Sequence, residues 1–190
     1  MVEFDQWLFL LLNGIHSPFY DDFMSAISDR FIWIPLYAYL LFMLIREYGI
    51  RSIYLILFVA LLVTLTDQLS VHLFKNTIQR LRPCHEPEIR SLVHIVNDHC
   101  GGNYGFISSH SANTFALAVY LGNLLSSKSK FWLTALLIWA ALVSYSRIYL
   151  GVHYPLDILF GGLFGALMGT VMLRITRRID KKFSLKIFVK

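Results

Sequence analysis

Arg147, His153 and Asp157 share one short stretch, Ser146-Arg147-Ile148-Tyr149-Leu150-Gly151-Val152-His153-Tyr154-Pro155-Leu156-Asp157, set between two strongly apolar segments. Together they could handle a phosphate. The planar guanidinium of Arg147 offers a fork to two oxygens of an anion. A neutral His153 could attack phosphorus or serve as a base if its other ring nitrogen donates to Asp157. Pro155 suits the first turn of a helix, which puts Asp157 near that helix's amino end. The bland alternative is an Arg–Asp ion pair with His153 packed nearby, but charge at a membrane is a functional hypothesis by default.

Two other groups carry similar chemistry. Lys75 and Arg82 are seven residues apart, two helical turns, so a helix continuing past the membrane would place both on one face until Pro83 ended it. Arg80 and Arg90 fall off that face. Lipid phosphates could equally draw these basic side chains to the interface. The segment Gly101-Gly102-Asn103-Tyr104-Gly105-Phe106-Ile107-Ser108-Ser109-His110 reads as a flexible loop delivering two serines and a histidine to a helix start. Ser108 or Ser109 can cap that helix, and its free amides favour a bound anion. Capping explains the serines but leaves His110 without a reason.

The elements that must position these groups are membrane helices. Hydrophobic residues make up 56% of the 190, well above soluble domains, and the chain is one domain's worth. Apolar runs at Phe31 to Ile45, Ile53 to about Phe74, Ser111 to Leu125, Phe131 to Tyr149 and Leu156 to Leu173 predict an all-α integral membrane bundle of about five spans. Several fall short of the roughly 20 residues a span needs and must recruit polar flanks. Residues 1–30 read as interfacial helices: Trp7 to Leu12 is too short to cross, and Phe19, Phe23 and Ile27 recur every four residues. No Lys or Arg precedes Arg30, so the whole chain is expected to be retained.

Charge orients the bundle. The net charge is +5, but the basic residues gather between and after apolar runs, which fits membrane topology better than nucleic acid. With Arg46, Arg51, Lys128, Lys130 and the basic tail of residues 174–190 in the cytoplasm, eleven of the seventeen Lys and Arg lie inside. Lys75, Arg82, Ser108, Ser109, His110, Arg147, His153 and Asp157 then all meet at the outer surface, contributed by four helix ends.

These residues resemble the type 2 phosphatidic acid phosphatases, or PAP2 family, membrane lipid phosphatases akin to the vanadium haloperoxidases. The family's Lys-x6-Arg-Pro is matched by Lys75 to Arg82-Pro83, and its Ser-Arg-x5-His-x3-Asp by Ser146-Arg147, His153 and Asp157. Its Pro-Ser-Gly-His is matched imperfectly by Ile107-Ser108-Ser109-His110, which loses a rigid corner and a glycine. The resemblance implies that His153 forms a phosphohistidine, that Asp157 orients it, and that His110 protonates the leaving oxygen. It further implies that Lys75, Arg82, Ser108, the Ser109 amide and Arg147 surround the phosphoryl group, with no metal or other cofactor. Three cations can supply the charge compensation phosphoryl transfer needs.

The expected activity is dephosphorylation of a membrane lipid at the outer face of a bacterial inner membrane. Undecaprenyl diphosphate is the first expectation, with lipid A phosphate and phosphatidylglycerophosphate as alternatives. A lipid-binding or transport protein holding phosphate without cleaving it is the non-enzymatic alternative, and haloperoxidase chemistry a third.

Three further features are less specific. Cys84 and Cys100 bracket the long outer loop, with His85, His94 and His99 nearby; a disulfide is the simplest reading and a Cys/His metal site the alternative. Asp67 lies within the second span and reads as a structural hydrogen-bond or ion-pair partner. Gly161, Gly165 and Gly169 recur every four residues, which suits close helix packing in the bundle core or in a dimer. The sequence assigns no oligomeric state.

Overall fold

A computed structural model describes residues 2–126 and 130–188. Lys128 and Lys190, both assigned above to the cytoplasmic side, lie outside the described residues. The order is α1 (Val2–Asn13), α2 (Pro18–Ser28), α3 (Ile34–Tyr48), α4 (Ser52–Leu69), α5 (Asn76–Ile78), α6 (Ser109–Leu125), α7 (Phe131–Tyr149) and α8 (Pro155–Phe183). Among the described residues there is no strand, only one isolated antiparallel bridge, Leu81 to Tyr104. The chain is all-helical, as its apolar periodicity predicts.

Among the described residues, three helical stretches have the length and apolarity to cross a membrane: Arg30–Ile78, Phe131–Tyr149 and Pro155–Phe183. They turn large apolar side chains outward, Leu57 at 62% exposed, Ile138 at 65% and Leu163 at 59%. Such surfaces need lipid or a partner to cover them. Gly49 ends α3 at φ +57, a conformation that costs glycine little. Ser52 Oγ then donates to the Gly49 carbonyl at 2.7 Å as α4 begins.

Helix α6 is the axis of the bundle, with Ala112, Ala116, Ala118, Tyr120 and Leu124 buried. It packs against α8 through the four-residue glycine repeat. A Cβ at Gly161 would lie 2.7 Å from the Ser108 carbonyl oxygen, at Gly165 2.1 Å from that of Ala112, and at Gly169 2.6 Å from that of Ala116. The glycine stripe therefore serves the core of this chain. Gly165→Leu is expected to cost about 3 kcal/mol or more through overpacking; a thermal melt in detergent matching the parent's would contradict this contact.

Helix α8 departs from the expected boundary. The sequence reading ended the span at Leu173, where charges begin, but the helix continues to Phe183. Arg and Lys are good helix formers, and Thr176, fully buried, bonds Tyr120 Oη at 3.0 Å. The segment after α8 is not a free tail within the described residues. Ser184 takes a left-handed φ of 50, the chain reverses, and the Ile187 amide donates to Asp180 Oδ1 at 2.8 Å.

Helices α1 and α2 are fastened to the carboxyl end of α7 by polar groups. Asn13 Nδ2 donates to the carbonyls of Tyr149 at 2.8 Å, His94 at 3.0 Å and Ile148 at 3.2 Å. Its Oδ1 accepts from the His94 amide at 2.8 Å. The Tyr149 hydroxyl donates to Asp21 Oδ1 of α2 at 2.7 Å. These bonds hold the amino-terminal helices over the helix ends that carry the charged residues.

Candidate active site

Lys75 sits at the end of a π-helical turn, Ser70–Lys75, that continues α4. Such turns add a residue to the helix and redirect side chains, often at functional sites. Lys75 Nζ donates to Ser109 Oγ at 2.8 Å, and Ser109 Oγ also bonds Ser70 Oγ at 2.7 Å. Ser109, standing where the family motif has glycine, thus ties the second span to the start of α6. Asp67 accepts from Asn113 Nδ2 of α6 at 3.5 Å.

The expected common helical face for Lys75 and Arg82 is not formed. The helix stops at Ile78, Gln79 is left-handed at φ 53, and Arg82 is extended. The chain reverses because the backbone beyond Gln79 pairs with the far end of the loop: the Arg82 amide donates to the Asn103 carbonyl at 3.0 Å, and the Gly105 amide to that of Arg80 at 2.9 Å. Arg82 joins the cluster through this pairing. Its Nη1 donates to the Cys100 carbonyl at 2.7 Å and its Nε to that of Tyr104 at 3.3 Å.

Cys84 and Cys100 are joined in a disulfide with a Cα–Cα distance of 6.1 Å, closing the loop that carries Arg82 and leads to Ser108. His85 lies beside the two sulfurs, but disulfide sulfurs are not the thiolates a metal site uses. Replacing both cysteines with serine should lower stability by about 3 kcal/mol on chain-entropy grounds and reduce turnover several-fold. Thermal melts and phosphate release with and without reductant check this; indifference to both changes would contradict it.

Ser108 is the N-cap of α6, fully buried, with Oγ accepting from the Ser111 amide at 3.5 Å. Its own amide donates to the Asp157 carbonyl at 3.0 Å, which fixes the start of α6 to the start of α8. The capping role argued from sequence is therefore real for Ser108. His110, one residue into α6, is exposed and lines a cavity of about 550 Å³.

Arg147, near the end of α7, donates through Nη1 to Ser28 Oγ of α2, while its buried Nε has no hydrogen-bond partner. A buried unpartnered guanidinium donor asks for an anion. His153 follows in the α7–α8 turn and is 1% exposed, with Nδ1 3.4 Å from Asp157 Oδ2. Burial, then the charges of Arg82, Arg147 and Lys75, push the His153 pKa well below the ordinary imidazole value. A neutral ring keeps the lone pair a nucleophile needs. The same three cations and His153 lie within electrostatic reach of His110.

Three participants carry no sequence signal that sets them apart. A Cβ at Gly105 would lie 2.9 Å from Asp157 Oδ2 and 3.5 Å from His153 Nδ1, so only glycine lets the loop lie against that pair. Arg80, set aside above because it fell off the presumed face, donates through Nη1 to Asp157 Oδ1 at 3.0 Å and through Nη2 to Asp5 Oδ2 at 2.6 Å. Asp5, in α1, is 1% exposed.

Lys75, Arg82, Ser108, Ser109, His110, Arg147, His153 and Asp157 are thus drawn from four helix ends and one loop into a single cluster. The model of the PAP2 superfamily matches residues 52–181. The lipid A 4'-phosphatase of Bacteroides thetaiotaomicron is 41% identical over 170 residues, covering 86% of this chain and 74% of that protein. The undecaprenyl-diphosphatase of Sulfolobus acidocaldarius is 34% identical over 153 residues, covering 80% and 65%. The crystal structure of Aquifex aeolicus LpxE aligns with a TM-score of 0.63 at 27% identity, covering 88% of this chain and 93% of that one. The family match spans all eight residues of the cluster, and the chain belongs to the PAP2 superfamily of phosphatases.

Proposed function

We propose that the protein removes a phosphate from lipid A or a closely similar phosphorylated glycolipid, at the outer face of a bacterial inner membrane that the chain crosses five times. His153 Nε2, the ring nitrogen left when Nδ1 faces Asp157, attacks phosphorus. The bond from phosphorus to the lipid oxygen breaks, its electron pair stays on that oxygen, and His110 delivers a proton. Lys75, Arg82 and Arg147 compensate the charge on the phosphoryl oxygens. Water, deprotonated by His110, then releases phosphate and restores His153. No step uses a metal.

The observation that carries this reading is that Ser109 and His110 of the cluster line one cavity while Arg147 lines another. One, of about 550 Å³, is walled by apolar residues including Trp33, Leu40, Leu117 and Leu136, and includes His110. The other, of about 450 Å³, holds Arg147 with the polar side chains of Ser25, Asp29, Asn97 and His99 beside Val96, Leu150 and Val152. Ser28, the partner of Arg147, lines both. Acyl chains suit the first, and sugar hydroxyls suit the second. A polyprenyl diphosphate ends at its phosphate and has no sugar to set against the polar side chains of the second cavity. This favours lipid A over the undecaprenyl diphosphate first expected, as does the higher identity to the lipid A 4'-phosphatase. Membership in a phosphatase superfamily supports catalysis over binding or transport.

The test is phosphate release by purified protein in liposomes, with chelator, from lipid A, undecaprenyl diphosphate and phosphatidylglycerophosphate. Lipid A is expected to have the highest kcat/KM, by about tenfold or more, which is 1.4 kcal/mol of extra transition-state binding. A preference for undecaprenyl diphosphate would reverse the assignment, and loss of activity in chelator would overturn metal independence.

A further inference from the structure

We propose that Arg80, held by Asp5 of α1, is a positioning residue that fixes the Asp157 carboxylate against His153; this rests on His153 being the nucleophile, as proposed above. Every polar contact of the two carboxylates fits the role. Asp157 Oδ2 accepts from the Tyr154 amide at 3.0 Å and faces His153 Nδ1 at 3.4 Å, while Oδ1 accepts from Arg80 Nη1 at 3.0 Å. Asp5 Oδ2 accepts from Arg80 Nη2 at 2.6 Å, and Asp5 Oδ1 from the Leu156 amide at 3.0 Å. The guanidinium carbon lies 3.9 Å from the Tyr154 ring centroid, a cation–π distance. Arg80 is thereby gripped by two helices and the ring beside the nucleophile.

Its terminal nitrogens are spent, which separates it from the phosphate-facing cations. Arg147 keeps a buried Nε without a partner, whereas Arg80 gives one terminal nitrogen to each carboxylate. Charge counting gives the consequence. Two ionised carboxylates and one guanidinium leave one negative charge beside His153, matching the positive charge the ring gains on bonding phosphorus. Without Arg80, two buried carboxylates would face each other unpaired, an arrangement that proteins relieve by protonation or movement. Either would release the grip on Nδ1. Lysine, with one ammonium in place of a planar fork, cannot span both carboxylates.

The experiment compares kcat, KM and thermal stability for Arg80→Gln, Arg80→Lys, Asp5→Asn and His153→Ala on one lipid phosphate in the same liposomes. Partners that orient a reacting ligand are worth about 10- to 100-fold, so Arg80→Gln should lose kcat on that scale with KM within about twofold. Arg80→Lys should recover part of that loss, since it keeps the charge but reaches only one carboxylate. Asp5→Asn should fall by about three- to tenfold, because the amide oxygen can still accept one bond. A fall confined to KM would overturn the proposal and make Arg80 a substrate ligand. So would kcat within about threefold of the parent in Arg80→Gln while His153→Ala is inactive. Should Arg80→Gln fail to fold, parental kcat in both Arg80→Lys and Asp5→Asn overturns it equally. Activity surviving in His153→Ala would instead remove the nucleophile assignment itself.

Discussion

His153→Ala is expected to lower phosphate release by roughly 10⁴-fold or more, because removing a covalent nucleophile leaves only binding and charge stabilisation. No neighbour can substitute. Lys75 is engaged with Ser109, Arg82 and Arg147 are guanidinium cations, and His110 is assigned the proton transfer. Binding should survive, since the cations that hold the phosphoryl oxygens remain. Lipid phosphate should bind within a few-fold of the parent, measured at equilibrium beside steady-state release. Turnover within about 100-fold of the parent would be inconsistent with a covalent step at this residue.

Asp157→Asn should cost about 10³- to 10⁴-fold in kcat, on the scale seen when a buried carboxylate that fixes a catalytic imidazole becomes an amide. Both oxygens of Asp157 are acceptors here. Oδ1 takes Arg80 Nη1, and Oδ2 takes the Tyr154 amide and faces His153 Nδ1. An amide nitrogen at either position sets donor against donor. In one orientation it opposes Arg80, and in the other it opposes the Tyr154 amide and favours the tautomer with hydrogen on Nε2. Stability should fall as well, because Arg80 is only 19% exposed and loses one of its two counter-charges. Kinetics and thermal melts of Asp157→Asn and Asp157→Ala measure both effects. Parental kcat in Asp157→Asn would remove the orienting role.

The residues assigned to chemistry were legible because their spacing and shared membrane level are local properties of the sequence. Arg147, His153 and Asp157 fall within eleven positions, and Pro155 announces the helix on which Asp157 sits. The route that brings Arg82 to them was not. The expected helical face assumed that the ladder runs on to Pro83, whereas Gln79 breaks it and the loop ends pair across Leu81 and Tyr104. Nothing in the segment's composition marks that reversal.

The Arg80 cluster was invisible for a related reason. Its partner Asp5 lies 75 residues away in a helix with no motif, and an ion pair between distant segments leaves no periodic trace. The glycine stripe was visible as a repeat, but its choice of α6 depends on carbonyls at Ser108, Ala112 and Ala116, a property of packing. Apolar runs likewise marked the helices, but they stop at Leu173 where α8 continues to Phe183. Hydropathy marks where lipid stops, and helix propensity marks where the helix stops.

The central claim is a covalent bond between His153 and phosphorus. It is tested by quenching the protein in alkali during turnover of a lipid phosphate, digesting it, and locating phosphate by mass spectrometry. An acid-labile, alkali-stable phosphate is expected on the peptide bearing His153, and it is lost in His153→Ala. Turnover with no phosphorylated histidine in the parent would contradict it.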